Sequence, residues 1–325
     1  MLTTLIGFFI SLAAAVIPTF FYALAFYLAD RYEREPVWMG IVAFLWGAIP
    51  AVVTSLFGEI VIGIPFVGDP GSLTAAIVES ALVAPLVEEF AKGLALFAIY
   101  KFMRNEFDGV LDGLTYGALI GFGFAMTENF LYFIGAFSEG GFVDLTVLIF
   151  LRAVIFGLNH ALYTGLFGIG LGLARHAKTD EAARRWMVAG FVAAVGAHAL
   201  HNLGASLSSV NGLGILLSLG LAAAGIALIG IVVLLTWRQE RLWLREELDE
   251  EIGVLLSQAE YESLIGGWRR SPLLDARKDR SQAKRLQLAV KVAFQKHRLR
   301  RLGPEREPKL VGQIDELREK ILGSE

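Results

Sequence analysis

The chain has 325 residues, 55% of them hydrophobic and only 19% charged, with a mean hydropathy of +0.57, which excludes an ordinary soluble globular domain. The formal charge of −3 is unevenly spread: residues 1–237 hold 10 basic and 16 acidic side chains, residues 238–325 hold 19 and 16. The basic excess of the second part is too mild and too mixed in sign to argue for nucleic acid, and the lack of any cysteine excludes disulfides, thiolate zinc sites and cysteine nucleophiles.

A helix needs about 20 apolar residues to cross roughly 30 Å of hydrocarbon. Seven stretches qualify, at 3–29, 37–58, 73–99, 110–136, 145–173, 186–207 and 212–237. They predict an all-α, polytopic transmembrane helix bundle of about seven spans. The first run lacks a basic leader and continues from Leu2 to about Ala29, beyond the roughly 7–15 residues of a signal-peptide core, so it is expected to be a span. Arg31 and Arg34, then Lys101 and Arg104, then Arg175, Lys178, Arg184 and Arg185 fall in alternate connections, while 59–72, 137–144 and 208–211 hold no Lys or Arg. Cytoplasmic loops are the basic ones, so the N-terminus is expected outside and the C-terminal tail in the cytoplasm.

The expected organisation is a bundle over 1–237 and a helical tail over 238–325. Ser257 followed by Glu260 reads as a capping box, and Gly266-Gly267 and Ser271-Pro272 read as breaks. Residues 275–301 form a basic amphipathic stretch with Leu286, Val290 and Phe294 on one face, and a short charged helix is expected near 310–322. The tail reads as a solvated helical appendage, with docking on anionic lipid or a partner as the second reading. His176 and His297 are expected to be solvated.

Polar groups interrupt the apolar spans, where a charge costs at least a few kcal/mol and so marks a site. Counting about 1.5 Å per residue from each span's centre places Glu88, His160 and His198 within about 3 Å of the midplane, and Glu128 and Asn202 about 7–8 Å to its outer side. Glu88 and Lys92 are spaced i, i+4, Glu89 and Lys92 i, i+3, and His198 and Asn202 i, i+4, with His201 at i+3. Phe156, one turn before His160, is expected to wall it. Glu79 and Arg152 are expected to pair, and Asp112 and Tyr116 to anchor a loop at the cytoplasmic mouth. The chemistry that suits this set is hydrolysis. A carboxylate such as Glu88 can take the proton of a water, with imidazole and carboxamide groups on the oxyanion. Two histidines and a glutamate could instead hold a zinc ion, for which Glu128, His160, His198 and His201 are candidates. The residues alone leave both schemes open. An ion-coupled transporter burying the same groups is the alternative, although the paired broken helices of repeated halves are not evident.

Glu88-Glu89-Phe90-Ala91-Lys92 forms an EExxK motif, Phe156 to His160 an FxxxH motif and His198 to Asn202 an HxxxN motif. With Asp112-Gly-Leu-Thr-Tyr116-Gly117 and Gly121-Phe-Gly-Phe-Ala-Met-Thr-Glu128-Asn129, the set over about 70–205 resembles the PrsW family of intramembrane proteases, relatives of the CAAX prenyl endopeptidases and the bacterial ABI proteins. The CAAX-type relatives carry EExxxR, so Lys92 favours the PrsW side. The resemblance implies an endopeptidase that cuts membrane-anchored proteins, site-1 cleavage of anti-sigma factors among them. Glu88 and Glu89 match the paired glutamates, and His160, His198 and Asn202 the remaining polar positions. Such a protein would sit in a bacterial cell membrane, act on a membrane-anchored protein within the bilayer, and use either zinc or a glutamate alone.

Overall fold

The computed structural model describes residues 1–63, 72–208, 210–266 and 280–323. Helices account for the regular structure, and no strand occurs among the described residues. The chain divides into two compact units, Met1–Tyr27 with Glu35–Gly230, and Leu28–Arg34 with Ile231–Glu325.

In the first unit, α1 is Leu2–Ala29; α2 (Val37–Trp46) runs through a π turn (Gly47–Ala51) into α3 (Val52–Gly63). Next come α4 (Leu73–Val78), a second π turn (Glu79–Val83) and α5 (Ala84–Phe102). α6 (Val110–Ile149) passes through a third π turn (Phe150–Ile155) to α7 (Asn159–Arg175), and α8 (Asp180–Ser208) and the start of α9 (Leu213–Leu248) complete the unit. Five helical bodies are long and apolar enough to cross a membrane: Leu2–Ala29, Val37–Ile62, Val110–Arg175, Asp180–Ser208 and Leu213–Glu251. The stretch expected to span at 73–99 is helical but carries Glu79, Glu88, Glu89 and Lys92, too many ionisable groups to join those five.

The 66 residues of Val110–Arg175 hold both the fourth and the fifth expected spans. They are folded back on themselves. A Cβ on Gly113 would run into the carbonyl of Gly168, one on Gly117 into that of Thr164, and one on Gly121 into that of His160. These pairs run antiparallel four residues apart, so small residues let the two backbones touch. The reversal falls at Gly141, whose φ of 68° costs glycine little and other residues much more. The expected eight-residue loop at 137–144 therefore shrinks to a kink, because Gly140-Gly141 can reverse the chain without leaving helix on either side. The contact at Gly121 also seats His160 against α6.

The second unit holds the end of α9, α10 (Gln258–Ile265), α11 (Arg280–Leu302) and α12 (Leu310–Leu322). Ser257 and Glu260 cap each other's backbone at the start of α10, as their spacing predicts. Gly267, Ser271 and Pro272 lie outside the described residues. Tyr32, Leu244, Leu248, Leu286, Val290 and Phe294 are buried together in one apolar core with Ile314 and Ile321. The apolar face of α11 is thus consumed by folding within its own unit, which removes the ground for the second reading, that this face lies on lipid. His297 is corrected too. Its ring stacks on Trp243 with centroids 4.3 Å apart instead of facing solvent, since it shares a helix face with Val290 and Phe294. His176 is half-buried.

Candidate active site

α5 brings Glu88, Glu89 and Lys92 to one face, and α7 and α8 lay His160 and His198 against it. Lys92 is fully buried, and its Nζ donates to Glu88 Oε2 at 3.0 Å and Glu89 Oε1 at 2.8 Å. The same ammonium lies 3.2 Å from His160 Nδ1 and sits over the Phe124 ring, 3.8 Å from its centroid. A buried cation is tolerable only when its hydrogens are all engaged by charged or polar partners, and here two carboxylates and an imidazole do so.

The two glutamates are not equivalent. Glu89 Oε1 also lies 3.0 Å from His198 Nδ1, and its Oε2 accepts from Thr164 Oγ1 at 2.9 Å, so both of its oxygens are held. Glu88 lines a cavity of about 480 Å³ together with Glu59, Ser80, Glu128, Asn129, Arg152, Asn159, His160, Tyr163, His198, His201 and Asn202. His198 Nε2 lies 3.9 Å from Glu88 Oε2. Glu88 therefore meets whatever enters the cavity, while Glu89 anchors Lys92 and His198 from behind.

The remaining candidates surround this centre at different ranges. Glu128 is one layer out, its Oε2 2.8 Å from His160 Nε2. His201 stands apart, with its Nδ1 3.1 Å from Asn159 Nδ2 and its ring 4.7 Å from that of Phe156. The expected wall of His160 is corrected accordingly: Phe156 faces His201, and Phe124 and Tyr163 flank His160. Asn202 lines the cavity and donates to the Ser80 carbonyl at 2.8 Å. That bond has a backbone cause. The π turn sends the N–H of Ala84 to Glu79 O, so the next bond in the series would come from residue 85 to Ser80, and Pro85 has no N–H to give. Asn202 fills the vacancy with one of its two amide hydrogens.

The expected pairing of Arg152 with Glu79 is corrected, for Arg152 Nη2 lies 2.5 Å from Glu128 Oε2 and its Nε donates to Asn129 Oδ1 at 2.7 Å. The fold of Val110–Arg175 back on itself decides this, because it sets the third π turn beside α6. Asp112 Oδ2 accepts from the backbone N–H groups of Asp108 and Gly109, and Tyr116 donates to Glu35 Oε2 at 2.5 Å, which fastens the 103–109 connection and the start of α2. Thr164, Phe124 and Asn159 join the centre without the charge or motif that marks the others in the sequence. Thr164 carried a usable signal, lying i, i+4 from His160 on the same face.

Glu88, Glu89, His160 and His198 each offer a ligand atom, and these atoms lie within 4.8 Å of one another. Two imidazoles with carboxylates suit a divalent ion such as zinc. Glu128 and His201 fall outside that group. The Lys92 ammonium already stands among these donors, so an ion would have to displace it from at least one of them.

A family profile described as PrsW family intramembrane metalloprotease matches residues 35–241. Protease PrsW of Bacillus subtilis (strain 168) is 31% identical over 184 residues, 57% of this chain and 77% of its own length. The protein of that name from Geobacillus kaustophilus is 32% identical over 168 residues, 51% of this chain and 67% of its own. The one from Oceanobacillus iheyensis is 33% identical over 165 residues, 50% and 69% of the two chains. No solved structure matches the chain.

Proposed function

This chain belongs to the PrsW family of intramembrane metalloproteases, and we propose that Glu88, His160, His198 and Asn202 carry out peptide-bond hydrolysis in its buried cavity. The transporter alternative yields to this membership. The observation that carries the assignment is the division of labour between the two glutamates: Glu88 lines the cavity while Glu89 is spent on Lys92, His198 and Thr164.

Lys92 holds Glu88 through Oε2, leaving the other oxygen to take a proton from water as that water attacks the scissile carbonyl. The second amide hydrogen of Asn202, which lines the same cavity, would donate to the resulting oxyanion. The protonated Glu88 then returns its proton to the departing amine. In the alternative scheme Glu88 would give up the role of base, and Glu88, His160 and His198 would instead hold a divalent ion, zinc being the best match to the donor set. When bound, it would acidify a water and polarise the carbonyl. The substrates that fit are membrane-anchored proteins, single-span regulators such as anti-sigma factors among them. The N-terminus is assigned to the outside and the tail, as a separate soluble helical domain from 238, to the cytoplasm.

The test uses liposomes carrying the purified protein and a quenched single-span reporter peptide chosen for cleavage by the unaltered chain. Glu88→Gln should slow cleavage by about 10²–10⁴-fold in protein that is still folded, as read by a cooperative thermal unfolding transition. Cleavage at the unaltered rate would remove Glu88 from the chemistry. Chelator treatment should abolish cleavage and zinc restore it; full activity in metal-stripped protein would limit the mechanism to the glutamate alone.

A further inference from the structure

Glu128, itself paired with Arg152, meets His160 through Nε2, the ring nitrogen not facing Lys92, and the hydrolytic scheme above assigns neither residue a step. His160 meets different partners through its two nitrogens. Nδ1 is 3.2 Å from the Lys92 ammonium, which has only hydrogens to give, so Nδ1 must present a lone pair. Nε2 is 2.8 Å from Glu128 Oε2, a carboxylate also engaged by Arg152 and therefore an acceptor, so Nε2 must carry the hydrogen. The two constraints are independent and agree.

We infer that Glu128 is a positioning residue that selects the Nε2–H tautomer of His160 and turns its Nδ1 lone pair toward Glu88 and Lys92, with Arg152 holding Glu128 in place. Arg152 is itself fixed by Asn129 at 2.7 Å and by the Tyr132 ring, whose centroid lies 4.0 Å from the guanidinium carbon. The row Tyr132–Arg152–Glu128–His160 thus runs from the cavity wall to the centre. Glu89 does the same for His198 through Nδ1, so each histidine is backed by its own carboxylate. A carboxylate behind an imidazole fixes its ring and raises its basicity, and loss of such a partner lowers metal affinity or activity about 10–100-fold. This makes Glu128 a support for a ligand instead of a ligand, and it rests on reading this centre as the hydrolytic one.

The experiment compares the full-length chain with Glu128→Ala and Glu128→Gln in three measurements. Nitrogen NMR of protein labelled at its five histidines, with His160 identified by the signal lost in His160→Gln, should show the Nε2–H tautomer in the unaltered chain and a mixture in Glu128→Ala. Zinc titration against a competing chelator should show about 10–100-fold weaker binding in Glu128→Ala. Cleavage of the reporter peptide should lose kcat by a similar factor with KM nearly constant. Glu128→Gln keeps an acceptor oxygen and should recover most of all three. An unchanged tautomer and zinc affinity in Glu128→Ala would overturn the inference, as would equal damage from Gln and Ala. If Glu128→Ala does not fold, Arg152→Gln replaces it: a mixed tautomer with weaker zinc binding supports the role, and unaltered values for both overturn it. Glu88→Gln separates the two claims, because continued cleavage by that variant sinks the hydrolytic reading, whereas an inactive Glu88→Gln beside an unaltered Glu128→Ala sinks only the positioning role.

Discussion

At the residue scale the centre is held together by one ammonium. Lys92 has no exposure and is the shared counter-charge of two carboxylates that would otherwise stand unpaired in a low-dielectric interior. Removing one partner of a buried ion pair costs about 3–5 kcal/mol because it strands the other charge. Lys92→Met should therefore destabilise the protein by an amount in that range in detergent, read as a lowered denaturation midpoint. Lys92→Met combined with Glu89→Gln should regain part of it, since one stranded charge is removed. A Lys92→Met protein as stable as the parent would show that the ammonium is not the counter-charge of Glu88 and Glu89.

At the scale of elements, irregular backbone and the site coincide. Pro50 lies inside the first π turn, Pro85 follows the second, and the third carries Arg152. A π turn re-aims side chains and leaves carbonyls without partners, and such turns are frequent at functional sites. The Ser80 carbonyl is one of these, rescued by Asn202 from α8. Asn202→Leu should orphan it and cost about 1–3 kcal/mol of stability in addition to any loss of cleavage. Placing Pro85→Ala in the same background restores an N–H within reach of that carbonyl and should recover stability without recovering cleavage. If both return together, Asn202 serves only the backbone. If neither stability nor cleavage falls in the single variant, the hydrogen bond carries no weight.

At the scale of the whole molecule, the chain divides into two units with different chemistry. The first exposes large apolar side chains such as Phe9, Phe20, Phe57 and Phe90 on its surface, which only a lipid surround makes affordable. The natural lack of cysteine makes orientation directly measurable. A single Cys in place of Asn105 should be protected from a membrane-impermeant thiol reagent in intact cells, and one in place of Ser138 should react; the reverse pattern would invert the topology. The second unit buries its apolar residues in the ordinary way and should respond to acid. Burial, with Arg301 and Arg300 adding to it, holds the pKa of His297 below its usual 6.5. The unfolded chain then takes up the proton first as pH falls. The stability of this unit should be full above about 6.5 and should decline below it. His297→Phe should flatten that decline, measured by hydrogen exchange along α11 between pH 7 and 5. An identical decline in the variant would place the acid response elsewhere.

Composition and spacing by themselves determined the all-helical membrane class, the cap at Ser257, the helix at Leu310–Leu322 and the charged and imidazole groups Glu88, Glu89, Lys92, His160 and His198 as a cluster, though not the neutral Thr164 and Asn159 beside them, because hydrocarbon permits so few charges that each one present is informative. The level shared by Glu88, His160 and His198 could likewise be counted from span centres. What only the tertiary structure decided was pairing. Which glutamate faces the cavity, which carboxylate backs which histidine, and why Arg152 meets Glu128 instead of Glu79 all depend on the rotation of helices about their axes and on the reversal at Gly141. Neighbouring helices set that rotation through backbone contacts at glycine, and a linear spacing rule carries no information about it. The same limit hid the fate of the Leu286, Val290 and Phe294 face, since an amphipathic helix looks alike from its sequence whether lipid or its own unit covers it.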